Sequence, residues 1–183
     1  MEAVLEAAAQ VLEADGYDGL TTNRVAERAG VSIGTLYQYF PDKAAVVAGL
    51  VEAQLGVEVE AVRAAFAGAR DLPLADAVDR VVGAFAGLFV GAPERSAAVL
   101  YGALRVRWRP VIDDLLDQAV GAVAAELARR AHPDPNLAAH IAVHAVVGVV
   151  VRSLVDRPEV VATGAVGREA QRLVRGYLSA GGR

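Results

Sequence analysis

Apolar residues recur every three to four positions along most of the chain, a spacing that places them on one side of an α-helix. Alternating apolar and polar runs bounded by turn residues, which would indicate β-strands, are scarce. The pattern therefore predicts an all-α protein. Glycine and proline interrupt it, and the helices are predicted at about 2–14, 21–30, 32–40, 42–66, 74–90, 94–108, 110–131, 136–155 and 165–179.

These helices fall into two groups. Three short helices fill residues 1–45, whereas longer ones fill residues 46–183. The chain has 183 residues, of which 55% are hydrophobic, so it can bury a sizeable core and is too apolar for intrinsic disorder. We therefore expect a small N-terminal domain over 1–45 and a larger C-terminal helical domain over 46–183.

The composition excludes several kinds of chemistry. The chain has no cysteine, which rules out disulfides, thiolate metal sites and a cysteine nucleophile. No nucleophile with an activating base is evident, so we do not expect an enzyme. His140 and His144 are four residues apart, a spacing that can hold a metal, but no third ligand is evident. We therefore predict neither a metal site nor a cofactor.

The most informative segment is residues 21–43, with the sequence TTNRVAERAGVSIGTLYQYFPDK. Gly30 permits the positive φ of a sharp turn, and Val31 can cover the core beneath that turn. Ser32 can cap the helix that follows, and Ala26 is small where the two helices would cross. Two helices joined in this way form a helix-turn-helix.

The second of these helices has an unusual exposed face. Thr35, Tyr37, Gln38 and Tyr39 place hydrogen-bonding side chains on about two turns, and Gly34 leaves room for a phosphate backbone. Such a helix suits the major groove of DNA. The same residues also fit a structural helical hairpin whose tyrosines lie at the surface, so the pattern alone leaves both interpretations open.

This segment resembles the DNA-binding domain of the tetracycline repressor (TetR) family of transcriptional regulators. The family pattern has a Thr opening helix two, an Ala-Gly-Val-Ser turn, Gly-x-Leu-Tyr-x-(His or Tyr)-Phe, and a Lys three residues later. The resemblance covers roughly residues 1–50. The matching residues are Thr22, Ala29, Gly30, Val31, Ser32, Gly34, Leu36, Tyr37, Tyr39, Phe40 and Lys43.

The resemblance implies two kinds of DNA contact. Phosphate contacts are implied for Thr22, Tyr37 and Lys43, with Ser32 and Gly34 close to the backbone. Base contacts are implied for Ile33, Thr35, Gln38 and Tyr39. An amide side chain such as that of Gln38 can pair with an adenine edge. Family members often have a basic arm before the first helix, whereas this sequence starts with Met1 and Glu2.

The resemblance also implies how the C-terminal domain works. Its helices at about 136–155 and 165–179 are expected to form a four-helix bundle across a homodimer. The first of them is apolar on nearly all sides, so it should be buried on nearly all sides. One chain of this length has few places to bury such a helix unless a second subunit covers one side. An apolar small-molecule effector is expected to bind this domain, although its candidate contacts could equally be core residues. The candidates are Phe85, Phe89, Tyr101, Leu104, Trp108, His140 and His144.

The expected function is that of a ligand-responsive repressor that binds a palindromic double-stranded DNA operator and is released by the effector. The alternative is a small-molecule carrier with a vestigial helix-turn-helix. The chain starts with no basic flank before an apolar core, so we expect no secretion signal and a cytoplasmic protein. The apolar helix at 136–155 is expected to be a buried core helix, not a membrane span.

The charge distribution qualifies the DNA-binding hypothesis. Residues 1–47 contain three bases and seven acids, and this net charge of −4 equals that of the whole chain. The acids Glu2, Glu6 and Glu13 are expected to point to solvent, away from the apolar stripe of the first helix. Residues 22–43 contain three bases and two acids. We therefore expect weak non-specific binding and few ionic phosphate contacts.

Overall fold

The computed structural model describes residues 1–106 and 109–180, and these residues form ten helices and no β-strand. The all-α prediction is therefore confirmed. The helices are α1 (Glu2–Gly19), α2 (Thr22–Ala29), α3 (Ile33–Tyr39), α4 (Lys43–Ala67), α5 (Leu74–Gly87), α6 (Pro93–Arg105), α7 (Arg109–Arg129), α8 (Pro135–Asp156), α9 (Pro158–Ala162) and α10 (Ala165–Ala180).

The helix ends around α2 and α3 follow the local chemistry of the sequence. The Thr21 side chain accepts a hydrogen bond from the Arg24 amide (3.3 Å), which caps α2. Gly30 ends α2 in the left-handed region at φ 68°. The Ser32 hydroxyl accepts from the Thr35 amide (3.0 Å) and caps α3, as predicted.

Other helix bounds differ from the predicted ones. The first helix continues to Gly19 because Gly16, at φ 67°, kinks it instead of ending it. The short helix α9 was not predicted, since Pro158 begins a new helix directly after ending the previous segment. Helix α5 ends at Gly87, about three residues early. The predicted end of the next helix, at Trp108, lies outside the described residues.

The chain divides into two compact units. The first consists of Met1–Val57 with Glu94–Pro110, and the second of Glu58–Pro93 with Val111–Arg183. The first unit thus includes α6 as well as α1, α2, α3 and the start of α4.

The core of the first unit is made of branched aliphatic side chains from each of its helices. Leu12, Val25, Leu36 and Val46 are fully buried, and burial stabilises the fold by roughly 1.5–3 kcal/mol for each such side chain. Gly102 of α6 lies so close to α1 and α4 that an added Cβ would stand 3.1 Å from Leu12. Close approach of helix backbones therefore brings α6 into this core.

In the second unit α10 packs against α5 and α8. Val150 and Leu154 of α8 are buried, whereas Leu137, Ile141 and Val149 of the same helix are exposed. The outer face of α8 is thus uncovered in a single chain, in line with the prediction that one chain cannot bury this helix on all sides. Among the described residues, α8 alone is long and apolar enough to cross a membrane, but its inner face packs in this unit as a core helix does.

An ion pair joins α1 to α6 within the first unit. The Arg95 guanidinium donates to both carboxylate oxygens of Glu6, at 2.9 and 2.5 Å. Glu6 is exposed to solvent, as expected, but its carboxylate is also paired with Arg95. These hydrogen bonds and that from Gln10 lower the pKa of Glu6 from 4.5 to about 2.

We expect acid to weaken this ion pair. Because the pKa of Glu6 is lower in the folded chain, its stabilisation is complete above the unfolded pKa and is lost as the pH falls from about 5 to 2. Glu6→Gln should lower the free energy of unfolding by less than about 1 kcal/mol at pH 7, since the pair is partly exposed. Urea unfolding at pH 7 and pH 3 should show a smaller difference from wild type at pH 3. Glu2→Gln on the same helix is the control, and an equal difference at both pH values would contradict the assignment.

Candidate nucleic-acid interface

Helix α3 turns one face inward and another to solvent. Leu36 is fully buried and anchors the helix in the first unit. The side chains of Ile33, Tyr37 and Tyr39 are 37%, 50% and 56% exposed, although large apolar and aromatic side chains are more often buried. The exposure of Ile33 is compatible with the base contact that the resemblance implies for it. The remaining polar residues of this exposed face are Thr35 and Gln38.

The structure brings together Thr22 of α2 and Tyr37 of α3. Their hydroxyl oxygens lie 3.2 Å apart, although the residues are 15 positions apart in sequence. One hydroxyl donates to the other, which leaves the second hydrogen free to donate outward. The pair can therefore hydrogen-bond an anion such as a phosphate oxygen at the junction of the two helices.

Gly34 lies near the N-terminus of α3, and the chain itself does not require glycine there. An added Cβ would meet only the Ser32 hydroxyl, at an ordinary contact distance of 3.7 Å. Its φ is not in the left-handed region. A glycine inside a helix lowers stability by roughly 0.5–1 kcal/mol relative to alanine. The open space beside Gly34 is thus consistent with close approach by a ligand backbone.

Lys43, the first residue of α4, is held by α1. Its ammonium donates to the Tyr17 carbonyl oxygen (3.2 Å) and lies 4.4 Å from the centre of the Tyr17 ring. Sequence reasoning missed Tyr17, because nothing in the local sequence links residues 26 positions apart. The positive end of α4 and this ammonium together form an electropositive point beside the helix-turn-helix.

The two arginines of α2 are engaged with α1. Arg24 forms an ion pair with Asp15 (2.8 Å) and donates to the Gly19 carbonyl oxygen. Arg28 donates to the Gln10 side chain (2.7 Å). Both guanidinium groups therefore have partners in the chain, and the acidic charge of α1 is partly neutralised locally.

The described effector candidates lie in different surroundings. Phe85 and Phe89 of α5 form an edge-to-face pair with ring centres 5.5 Å apart. Tyr101 and Leu104 of α6 are exposed, as are both histidines of α8. Trp108 lies outside the described residues.

A cavity of about 200 Å³ lies in the second unit between α5, α8, α9 and α10, and none of the six described candidates lines it. The residues that line this cavity could not be identified from the sequence, because small apolar residues are common wherever two helices pack together. The lining includes Gly83, Ala86, Gly87, Val90, Val150 and Val161.

Comparison with protein families gives two matches along the chain. Residues 4–50 match the family described as "Bacterial regulatory proteins, tetR family". Residues 73–178 match the family described as "Tetracyclin repressor-like, C-terminal domain". The tetracycline repressor protein class C of Escherichia coli is 45% identical over 56 residues, which cover 31% of this chain and 26% of the repressor. The match thus spans about a quarter of that relative.

Solved structures match over nearly the whole chain. A TetR-like transcriptional regulator from Rhodococcus sp. RHA1 has a TM-score of 0.72 at 26% identity, covering 98% of this chain and 93% of that one. The regulator FadR from Bacillus subtilis, solved in complex with stearoyl-CoA, has a TM-score of 0.65 at 20% identity, covering 99% and 97%. The second likeness establishes the fold alone.

Proposed function

Because the chain belongs to the TetR family of DNA-binding transcriptional regulators, we propose that it is a repressor that binds a palindromic operator as a homodimer and leaves it when a small molecule binds. The observation that carries this proposal is the Thr22–Tyr37 hydroxyl pair next to the exposed face of α3. The family and its structural neighbours are transcriptional regulators, and we propose regulation, not catalysis, as the function of this chain. Binding to DNA implies a cytoplasmic location.

We propose that α3 lies in the major groove of the operator. Its exposed Ile33, Thr35, Gln38 and Tyr39 would contact bases, since a recognition helix directs such side chains at base edges. The flanking positions would contact the phosphate backbone and set the orientation of the helix. They are Thr22, Ser32, Gly34, Tyr37 and Lys43.

The homodimer would form through the outer sides of α8 and α10. We call this surface the α8–α10 face, and it comprises Leu137, His140, Ile141, His144 and Gly148 of α8 with Leu173, Gly176 and Tyr177 of α10. An added Cβ at Gly148 or Gly176 would meet no atom within 4 Å, so a second chain could approach closely. A second copy is the occupant that suits a DNA-binding protein, because a twofold pair can contact two half-sites about 34–36 Å apart.

The effector would act on the second unit. The cavity there is smaller than the roughly 300–1,000 Å³ of ordinary ligand pockets, so a drug-sized molecule would have to separate the helices. The FadR complex with stearoyl-CoA supports an apolar or amphipathic effector. A ligand that binds only the form with separated helices shifts the population toward that form. The protein then leaves the operator if the dimer in that form cannot contact both half-sites.

Selection of bound sites from random duplex DNA tests the proposal. We expect enrichment of a palindrome, and Tyr37→Phe should weaken binding to it at least tenfold. Each of the two copies loses the hydrogen bond of the Thr22–Tyr37 pair, and one such bond contributes roughly 0.5–1.5 kcal/mol. The Tyr101→Phe variant, at an exposed tyrosine of α6, should bind as the wild type does. If the wild type enriches no sequence, the carrier alternative is favoured.

Salt dependence should distinguish few ionic contacts from many. With Lys43 as the main ionic contact of each copy, we expect the logarithm of operator affinity to fall with the logarithm of salt at a slope of about −2 to −4. Lys43→Met should make this slope shallower by about two for the dimer. Titrations at several salt concentrations measure both quantities. A slope near −8 would show that further basic residues face the DNA.

A further inference from the structure

Two exposed histidines lie one turn apart on α8. The ring centres of His140 and His144 are 4.2 Å apart and their planes are inclined by 33°. Side chains at positions i and i+4 lie on the same side of a helix, and two histidines at that spacing bind Zn²⁺ in metalloproteases. The rings are thus already side by side.

A backbone hydrogen bond fixes the form of one ring. The Nδ1 atom of His144 lies 2.9 Å from the carbonyl oxygen of His140. Because a carbonyl oxygen only accepts, Nδ1 carries the hydrogen and donates it, and in a neutral ring Nε2 then keeps the lone pair that a metal needs. Metal-binding histidines are commonly oriented in this way by a carbonyl partner on the other ring nitrogen.

One chain alone does not complete a metal site. Among the described residues, no group of three or more histidine, aspartate or glutamate side chains could hold a metal ion together. Both histidines, however, belong to the α8–α10 face, and Gly148 lies one turn beyond His144 with open space around it. A second copy that approaches there can add two more imidazole groups.

We propose that His140 and His144 from two copies form an intersubunit site for a divalent transition metal. Four imidazole nitrogens suit the tetrahedral coordination of Zn²⁺, whereas Mg²⁺ and Ca²⁺ prefer oxygen ligands. A metal bound by both copies stabilises the dimer, since it binds the associated state more tightly than the separate chains. This proposal rests on the proposed homodimer. If the site exists, the stability of that dimer depends on the metal concentration.

Calorimetric titration of untagged, metal-free protein with Zn²⁺ tests the site, together with sedimentation velocity with and without Zn²⁺. We expect one Zn²⁺ for every two chains, and a dimer dissociation constant that falls at least tenfold when Zn²⁺ is present. His140→Gln and His144→Gln should each abolish Zn²⁺ binding, and the dimer dissociation constant of each variant should be the same with and without Zn²⁺. His132→Gln, which changes the third histidine of the chain, should behave as the wild type.

The outcomes separate the metal site from the dimer. A metal-free dimer that does not bind Zn²⁺ would overturn the site and leave the homodimer proposal intact. Binding of one Zn²⁺ per chain, or binding that survives both histidine substitutions, would also overturn the site. A chain that stays monomeric with and without Zn²⁺ would overturn both proposals. Ni²⁺ or Cu²⁺ binding with the same stoichiometry and the same histidine dependence would support the site.

Discussion

Replacing Leu173 with glutamate is expected to convert the dimer into monomers and to weaken operator binding at least a hundredfold. Leu173 is 52% exposed in the single chain, so the substitution should leave the fold of each monomer intact. In the proposed dimer the same position lies in the α8–α10 face, and the twofold axis places a carboxylate on each side. A buried unpaired charge is strongly destabilising, and about 2.7 kcal/mol already corresponds to a hundredfold.

Sedimentation velocity and operator titration measure the two effects of Leu173→Glu. The matched control is Val57→Glu, because Val57 of α4 is 71% exposed and lies outside the α8–α10 face. The control should remain dimeric and bind the operator. Circular dichroism should show equal helix content in both variants and the wild type. A Leu173→Glu protein that stays dimeric would place the interface elsewhere on the chain.

Gly34→Ala is expected to separate stability from DNA binding. The added methyl group fits the folded chain, and alanine is the better helix former, so the free energy of unfolding should rise by about 0.5–1 kcal/mol. The same methyl group would occupy the space that the phosphate backbone needs. We therefore expect operator affinity to fall at least tenfold, although the protein becomes more stable.

A second glycine provides the control for Gly34→Ala. Gly56 lies within α4, and an added Cβ there would meet no atom within 4 Å. Gly56→Ala should give a similar gain in stability with unchanged operator affinity. Thermal unfolding and operator titration of the two variants make the comparison. Unchanged affinity in Gly34→Ala would show that the DNA backbone does not approach α3 at this position.

The helix-turn-helix could be predicted from sequence because its determinants are local. The caps at Thr21 and Ser32 and the left-handed Gly30 each act within three residues of the helix end that they define. The alternation of buried and exposed positions on α3 also follows from helical spacing alone.

The cavity of the second unit could not be predicted in the same way. The aromatic candidates are conspicuous in the sequence, but Tyr101 is exposed and Phe85 packs on Phe89. The cavity of the second unit is instead lined largely by glycine, alanine and valine from four helices. The volume between helices depends on how closely their backbones approach, and no local pattern encodes that distance.

The sequence was sufficient to predict the all-α fold, the helix-turn-helix with its exposed residues, the acidic N-terminal region and the incomplete cover of α8 by one chain. These properties depend on residue type and on spacings of a few positions. The pairing of Glu6 with Arg95 and the contact of Tyr17 with Lys43 became apparent only in the folded structure. Such contacts join residues 26 or more positions apart, and their formation depends on how whole helices pack.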